Sequence, residues 1–356
     1  MVEINEMIQG IQTLGAIDIH FHGAFGIDLM SASPSDLDEL SRLLWKNGVA
    51  GFCPTTLSVH WDKLLETVRK LGHWIARGKF PGAIPVGIHL EGPYLSPDAC
   101  GAHPPDAIRT FSFTELNQLW EESQQTLKII TLAPEHLSTQ QIKKLAKWCQ
   151  DREIHLSLGH SQAHELQAQI AFKLGFRGVT HAWNALSFHH RSPGVLGAAL
   201  GNPNVFLELM IDQVHVSPTV VRWTLCLHPS QQICFISDCL SAGATGGKGH
   251  LKKKVEQFGP LSIQLKDGAC RLSDGRLAGG GQILTQAYLK WLLFEAKKQE
   301  IPIETLLKRT LGHITEVPLR LLQAPRRIFS NRKVFWQITA SGQIHVIPID
   351  SAQTYR

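Results

Sequence analysis

Four histidines and two carboxylates stand at the ends of apolar runs. His160 closes Ile154–Leu158, and His181 closes Gly178–Thr180. His20 and His22 end the run that begins at Ala16; Glu91 follows Ile84–Leu90, and Asp238 follows Ile233–Ser237. Neutral imidazoles and carboxylate oxygens are ligands for a divalent ion. In an extended strand, residues two apart point to one side, so His20 and His22 can grip one ion together. Just past His181 come Asn184, Arg191 and a Ser192-Pro193-Gly194 turn. An amide and a guanidinium there suit a polar or anionic substrate beside the metal. Singly, each residue has a plainer reading: a core histidine, a solvated loop acid, a helix N-cap. The joint pattern is stronger, because the six fall at the same end of five different runs.

These groups meet only if the runs lie side by side with their C-terminal ends together. The chain alternates accordingly. Apolar runs at 16–21, 49–54, 84–90, 127–132, 154–158, 178–180, 205–211 and 233–237 are separated by segments of helical spacing or by loops. Helices are expected after Ser33 or Ser35, and over 61–77, 113–122, 139–149, 163–174 and 218–227. Strands alternating with helices imply a parallel sheet. Eight such units suit a (β/α)8 TIM barrel, whose reactive groups collect at the C-terminal strand ends. The rival, an open doubly wound sheet, lacks a GxGxxG after its first strand.

The alternation breaks between Ala242 and Gly281, where Asp267-Gly268 and Asp274-Gly275 mark hairpins. Residues 333–347, with Ser341-Gly342, read the same way. The expected division is a barrel over 15–245 plus 277–325 and a small β annex over 246–276 plus 326–356. Only about 15 residues precede the first barrel strand, so the N-terminal strands of such an annex are expected to be missing.

Composition narrows the class. With 43% hydrophobic and 18% charged residues, the 356-residue chain has the makings of a substantial core. A net charge of +5, with Lys252-Lys253-Lys254 as the clearest basic run, gives no nucleic-acid footprint. No apolar stretch reaches membrane-span length. The N-terminus has no signal-peptide pattern. Seven irregularly spaced cysteines form no CxxC pair, so neither a disulfide framework nor a zinc knuckle is expected, and a reducing cytoplasm is the default address.

The ordered set His20-x-His22, HLEGPYLSPDACGAH (89–103), LGHSQA (158–163), THAWNALSFHHRSPG (180–194), DQVHV (212–216) and Ser237-Asp238 resembles the amidohydrolase superfamily. Within it, the chain is similar to N-acetylglucosamine-6-phosphate deacetylases over about residues 15–322. The resemblance implies a TIM barrel with a small β-sandwich, and metal-assisted hydrolysis of an N-acetyl group on an amino-sugar phosphate. It implies that Glu91, His160 and His181 bind the main ion, and that His20 and His22 build a second site with Glu91 bridging. One or two divalent ions are expected, zinc first, with Fe, Mn, Co or Ni also suited to these donors. Asp238 would be the acid–base group and His103 the residue on the carbonyl side. Asn184, the Ala185 N–H, Arg191 and His215 match the family's phosphate contacts. In the family the arginine crosses a dimer interface, so a homodimer is implied. The carboxylated lysine of many amidohydrolases has no counterpart, since Lys128 starts its strand and Thr131 to Pro134 close it. Two departures stand out: the short N-terminus, and Leu277-Ala278-Gly279-Gly280 in place of the usual LAGS. Trp183 and Phe188 are expected to reshape the sugar pocket. The alternatives are another N-acyl substrate and a catalytically lapsed sugar-phosphate-binding homologue.

Overall fold

The computed structural model describes residues 9–244, 256–339 and 342–349. Strand β1 is Gln9–Leu14. Strands β2 (Ala16–Phe21), β3 (Val49–Pro54), β4 (Ile88–Glu91), β5 (Leu127–Leu132), β6 (His155–Leu158), β7 (Gly178–Val179), β8 (Phe206–Met210) and β9 (Ile233–Ile236) follow. Neighbours from β4 to β9 pair in parallel, in sequence order. β2 pairs with β3, and β3 with a short strand at Ile84–Pro85. Single parallel bridges, Thr55 to His89 and Phe21 to Cys239, tie the two groups at both ends. The parallel sheet is therefore curled upon itself.

The expected strand at 84–90 is split. Its first part pairs with β3, and its second, displaced past Gly87, pairs with β5. The sheet can curl at this point because each half serves a different neighbour.

Helices α1 (Pro34–Lys46), α2 (Trp61–Ala76), α3 (Phe113–Glu122), α4 (Thr139–Gln150), α5 (Glu165–Leu174), α6 (Gly194–Leu200) and α7 (Pro218–Leu227) lie between the strands. Ser33 caps α1, with its side chain accepting from the Asp36 N–H and Asp36 answering the Ser33 N–H. Ser138 and Gln141 do the same for α4. The apolar stripe Leu37, Leu40 and Leu44 of α1 is buried against the sheet. Helices α8 (Leu284–Gln299), α9 (Ile303–Thr310) and α10 (Glu316–Leu321) complete the set.

Six further strands are β10 (Glu256–Phe258), β11 (Leu261–Lys266), β12 (Ala269–Leu272), β13 (Leu277–Gly280), β14 (Lys333–Ile338) and β15 (Ile344–Pro348). They form two sheets, β10-β11-β12-β13 and β1-β14-β15. The first meets the C-terminal rim: the Gly259 N–H donates to Asp28, and the Gly280 N–H to the Asp238 carbonyl at 2.7 Å. The second meets the opposite end, where the Gly15 N–H donates to the Arg332 carbonyl and the Arg332 side chain to the Gly82 carbonyl. The segments expected in one annex thus contribute to two sheets. The expectation of missing N-terminal strands is corrected by β1, which pairs antiparallel with β14 from Gln9–Ile338 to Leu14–Lys333. Its partner lies more than 300 residues away, so no local pattern announces it. Residues 246–255 and 350–356, part of the expected annex and including the lysine run, lie outside the described residues.

Candidate active site

Every candidate ligand sits where its strand ends on one rim. His20 lies in β2 with His22 just beyond it, and Glu91 ends β4; His160, His181 and Asp238 follow β6, β7 and β9 by two residues. Three of these have left-handed backbone: φ is +48° at His160, +31° at His181 and +49° at Asp238. Non-glycine residues take such angles at a cost, and strained backbone of this kind clusters at functional sites. Here the turn breaks the strand and brings the side chain over the sheet's interior.

The side chains converge on Glu91. Its Oε1 lies 3.2 Å from His160 Nε2 and 3.1 Å from His181 Nε2, and these two nitrogens are 2.9 Å apart. Its Oε2 lies 3.4 Å from His20 Nε2 and 3.2 Å from His22 Nε2, which are 3.2 Å apart. Each carboxylate oxygen thus faces its own pair of imidazoles. Donors around one tetrahedral ion at about 2.0–2.2 Å would lie about 3.3–3.6 Å apart. Asp238 Oδ1 is 3.2 Å from His22 Nε2 and 3.5 Å from His20 Nε2. Glu91 and the four histidines are at most 5% exposed.

Hydrogen bonds behind the rings set the direction of the lone pairs. His160 Nδ1 donates to the Ala99 carbonyl at 2.9 Å, and His20 Nδ1 to Glu208 at 2.9 Å. Their Nε2 atoms therefore present lone pairs to the centre. Nitrogen lone pairs gathered this closely repel one another unless a cation lies between them, so the donor set fits a divalent ion. A third convergent set, His20, His89 and Glu208, is different. Both His89 nitrogens are taken, by the Ile19 carbonyl and the Thr131 hydroxyl. Thr131 also occupies the interior of β5 where a carboxylated lysine would be needed, and Lys128 pairs with Glu153 instead.

His103 completes the group from a loop. The Ser58 N–H donates to its Nδ1 at 3.0 Å, so the proton of the neutral ring sits on Nε2, 3.5 Å from Glu91 Oε2. Burial pulls its pKa down to about 4, so the ring is neutral at pH 7. Asp238 Oδ1 stands beside the imidazoles of His20 and His22, the position that a proton acceptor at this centre needs.

His22, Glu91, His103, His160, His181 and Asp238 line a cleft of about 140 Å³, together with Asn184, Ala185, His215, Phe258, Leu277 and Ala278. Phe258 lays its ring edge-on to His22, so the β10–β13 sheet forms one wall. His215 Nδ1 is bonded to Asp212 at 2.7 Å, while its Nε2 is buried without a partner among the described residues. Arg191 is not brought to this cleft; it stands exposed on the loop after Asn184. Trp183 and Phe188 also lie outside the lining, contrary to expectation: the Trp183 indole turns away to donate to Thr224 on α7 and packs against Phe188. Sequence reasoning missed Glu208. Its signal is a lone carboxylate inside the apolar strand FLELM.

No protein-family model matches the chain. The N-acetylglucosamine-6-phosphate deacetylase of Bacillus subtilis (strain 168) is 37% identical over 281 residues, spanning 78% of this chain and 68% of that protein. The N-acetylgalactosamine-6-phosphate deacetylase of Escherichia coli O157:H7 is 34% identical over 265 residues, spanning 74% and 67%. Among solved structures, the N-acetylglucosamine-6-phosphate deacetylase of Thermotoga maritima matches with a TM-score of 0.77 at 30% identity, covering 96% of this chain and 88% of that one. With that degree of identity over that share of its length, the chain belongs to the N-acetylglucosamine-6-phosphate deacetylase family of amidohydrolases.

Proposed function

We propose that this chain is a metal-dependent hydrolase that removes the N-acetyl group of N-acetylglucosamine 6-phosphate, giving the free amine and acetate. The observation that carries the reading is Glu91, one buried carboxylate with each oxygen facing a separate pair of histidines. His160, His181 and Glu91 Oε1 would hold the main ion, and His20, His22 and Glu91 Oε2 a second. A divalent ion there supplies Lewis acidity toward water and the acetyl carbonyl. Asp238 Oδ1 accepts the water proton and returns it to the leaving amine. The His103 Nε2–H donates to the carbonyl oxygen as negative charge develops on it.

At the other end of the cleft, Asn184, the Ala185 N–H and His215 Nε2 face the phosphate. Arg191, exposed and away from its own cleft, serves the site of a second copy in a homodimer. The curled sheet is a (β/α)8 barrel carrying β annexes. No described helix is long and apolar enough to cross a membrane, and seven free cysteines suit a reducing cytoplasm.

A second sugar deserves a place in the test, because the Escherichia coli relative is named for N-acetylgalactosamine 6-phosphate at similar identity. Zinc-reconstituted protein should release acetate from N-acetylglucosamine 6-phosphate, and much more slowly from the sugar without phosphate. Faster release from the galactose isomer would reassign the sugar. Acetate release from none of the panel would overturn the assignment and favour a binding protein.

A further inference from the structure

We propose that Glu208 is a positioning residue that makes His20 and His22 a working ion subsite. This rests on the two-ion reading above. Glu208 is the third of five residues in β8, and the other four are apolar. It is only 2% exposed, with no lysine or arginine paired to it among the described residues. A carboxylate in such surroundings is costly unless something holds its charge.

Two groups engage its Oε2. His20 Nδ1 donates at 2.9 Å, and the His181 backbone N–H at 3.2 Å. The first contact decides a tautomer. With its single proton on Nδ1, neutral His20 offers the Nε2 lone pair to the point shared by His22, Glu91 and Asp238. The opposite tautomer would set a nitrogen lone pair against the Glu208 oxygen and an N–H at the ion. A carboxylate behind the ring also makes the imidazole a stronger donor.

The other three rings lack this support. His160 is backed by a neutral carbonyl, and the Nδ1 atoms of His22 and His181 are buried without partners among the described residues. The His20–His22 subsite therefore depends on Glu208 more than the His160–His181 subsite does. The second contact fixes the peptide entering the left-handed turn at His181, where φ is +31°.

The experiment is a calorimetric titration of metal-free protein with Zn²⁺ alone, with elemental analysis of the loaded samples. Wild type is expected to bind two equivalents. Glu208→Gln keeps an acceptor for the His20 N–H but removes the charge. It should retain the first equivalent and weaken the second about 10–100-fold, the usual loss for a residue behind a metal ligand. Glu208→Leu should lose the second equivalent. In a His20→Ala background, Glu208→Gln should change Zn²⁺ binding no further. Two undiminished equivalents in Glu208→Gln would overturn the role. So would equal weakening of both equivalents, or a lower melting temperature of the metal-free variant as the sole change; either result makes Glu208 structural. A wild-type chain that binds one equivalent, unaffected by His20→Ala, would instead overturn the two-ion reading, and the role with it.

Discussion

The two oxygens of Glu91 face different pairs of imidazoles, so the pairs can be tested separately. His181→Ala should lose bound metal and activity together, because it removes one of three donors at the main subsite. His20→Ala should lose only the extra equivalent. Full metal content in His181→Ala, by elemental analysis, would remove that residue from the ligand set. Asp238 calls for a different measurement. Asp238→Asn keeps the size and polarity of the side chain but cannot take a proton at neutral pH. A kcat loss of about two to four decades is expected from the usual weight of acid–base catalysis, with affinity for a substrate analogue nearly unchanged. Near-wild-type turnover would sink the assignment. At this scale the sequence spoke through residue type and position: histidines and acids at the ends of apolar runs. It did not speak for Glu208, because an acid inside FLELM looks like a register fault until the fold sets His20 behind it. Nor did it show the left-handed turns at His160, His181 and Asp238, which local preference disfavours and the surrounding fold imposes.

At the scale of elements, helix packing makes its own demand at Gly72. This residue is buried on α2, and a Cβ there would lie 2.3 Å from the Ser123 carbonyl oxygen, just past α3. Alanine favours a helix over glycine by up to about 1 kcal/mol. Forcing the Ser123 backbone away costs about 1–3 kcal/mol by the usual price of overpacking. Gly72→Ala should therefore lower the denaturant midpoint while leaving metal content unchanged. A raised midpoint would mean that α2 and α3 can separate freely. The parallel strands and their helices were legible because apolar runs and capping residues are local signals; of the two expected caps for α1, Ser33 is the one that caps it. The β annexes were less so. Hairpin signals located the strands of 261–272 and 333–348 but carried no information on which end of the curled sheet each would meet. That choice rests on long-range bonds such as Gly259 to Asp28 and Gly15 to Arg332.

For the molecule as a whole, Arg191 poses the main question, since it stands exposed outside its own cleft. If it reaches the phosphate of a partner, Arg191→Ala should cost about 2–4 kcal/mol in kcat/KM on the phosphorylated sugar. The sugar without phosphate should be barely affected. Arg191→Ala and Asp238→Asn, each strongly impaired alone on the phosphorylated sugar, should regain activity when mixed and exchanged. One of the two sites in the hybrid then carries both native residues. Equal losses on both substrates would make Arg191 structural. No rescue in verified hybrids would confine it to its own chain.

The pairing of β1 with β14 has a consequence for handling the chain. β14 lies between β1 and β15, and the Trp336 indole donates to the Thr13 hydroxyl. A version that begins at Ala16 would leave one side of β14 as a bare ladder of N–H and carbonyl groups. Such edges recruit strands from other molecules. Trimming the N-terminus, a change far from any reacting atom, should therefore show itself first as self-association. Sedimentation of the shortened chain would reveal it, and a synthetic peptide spanning residues 9–14 should suppress it by refilling the gap.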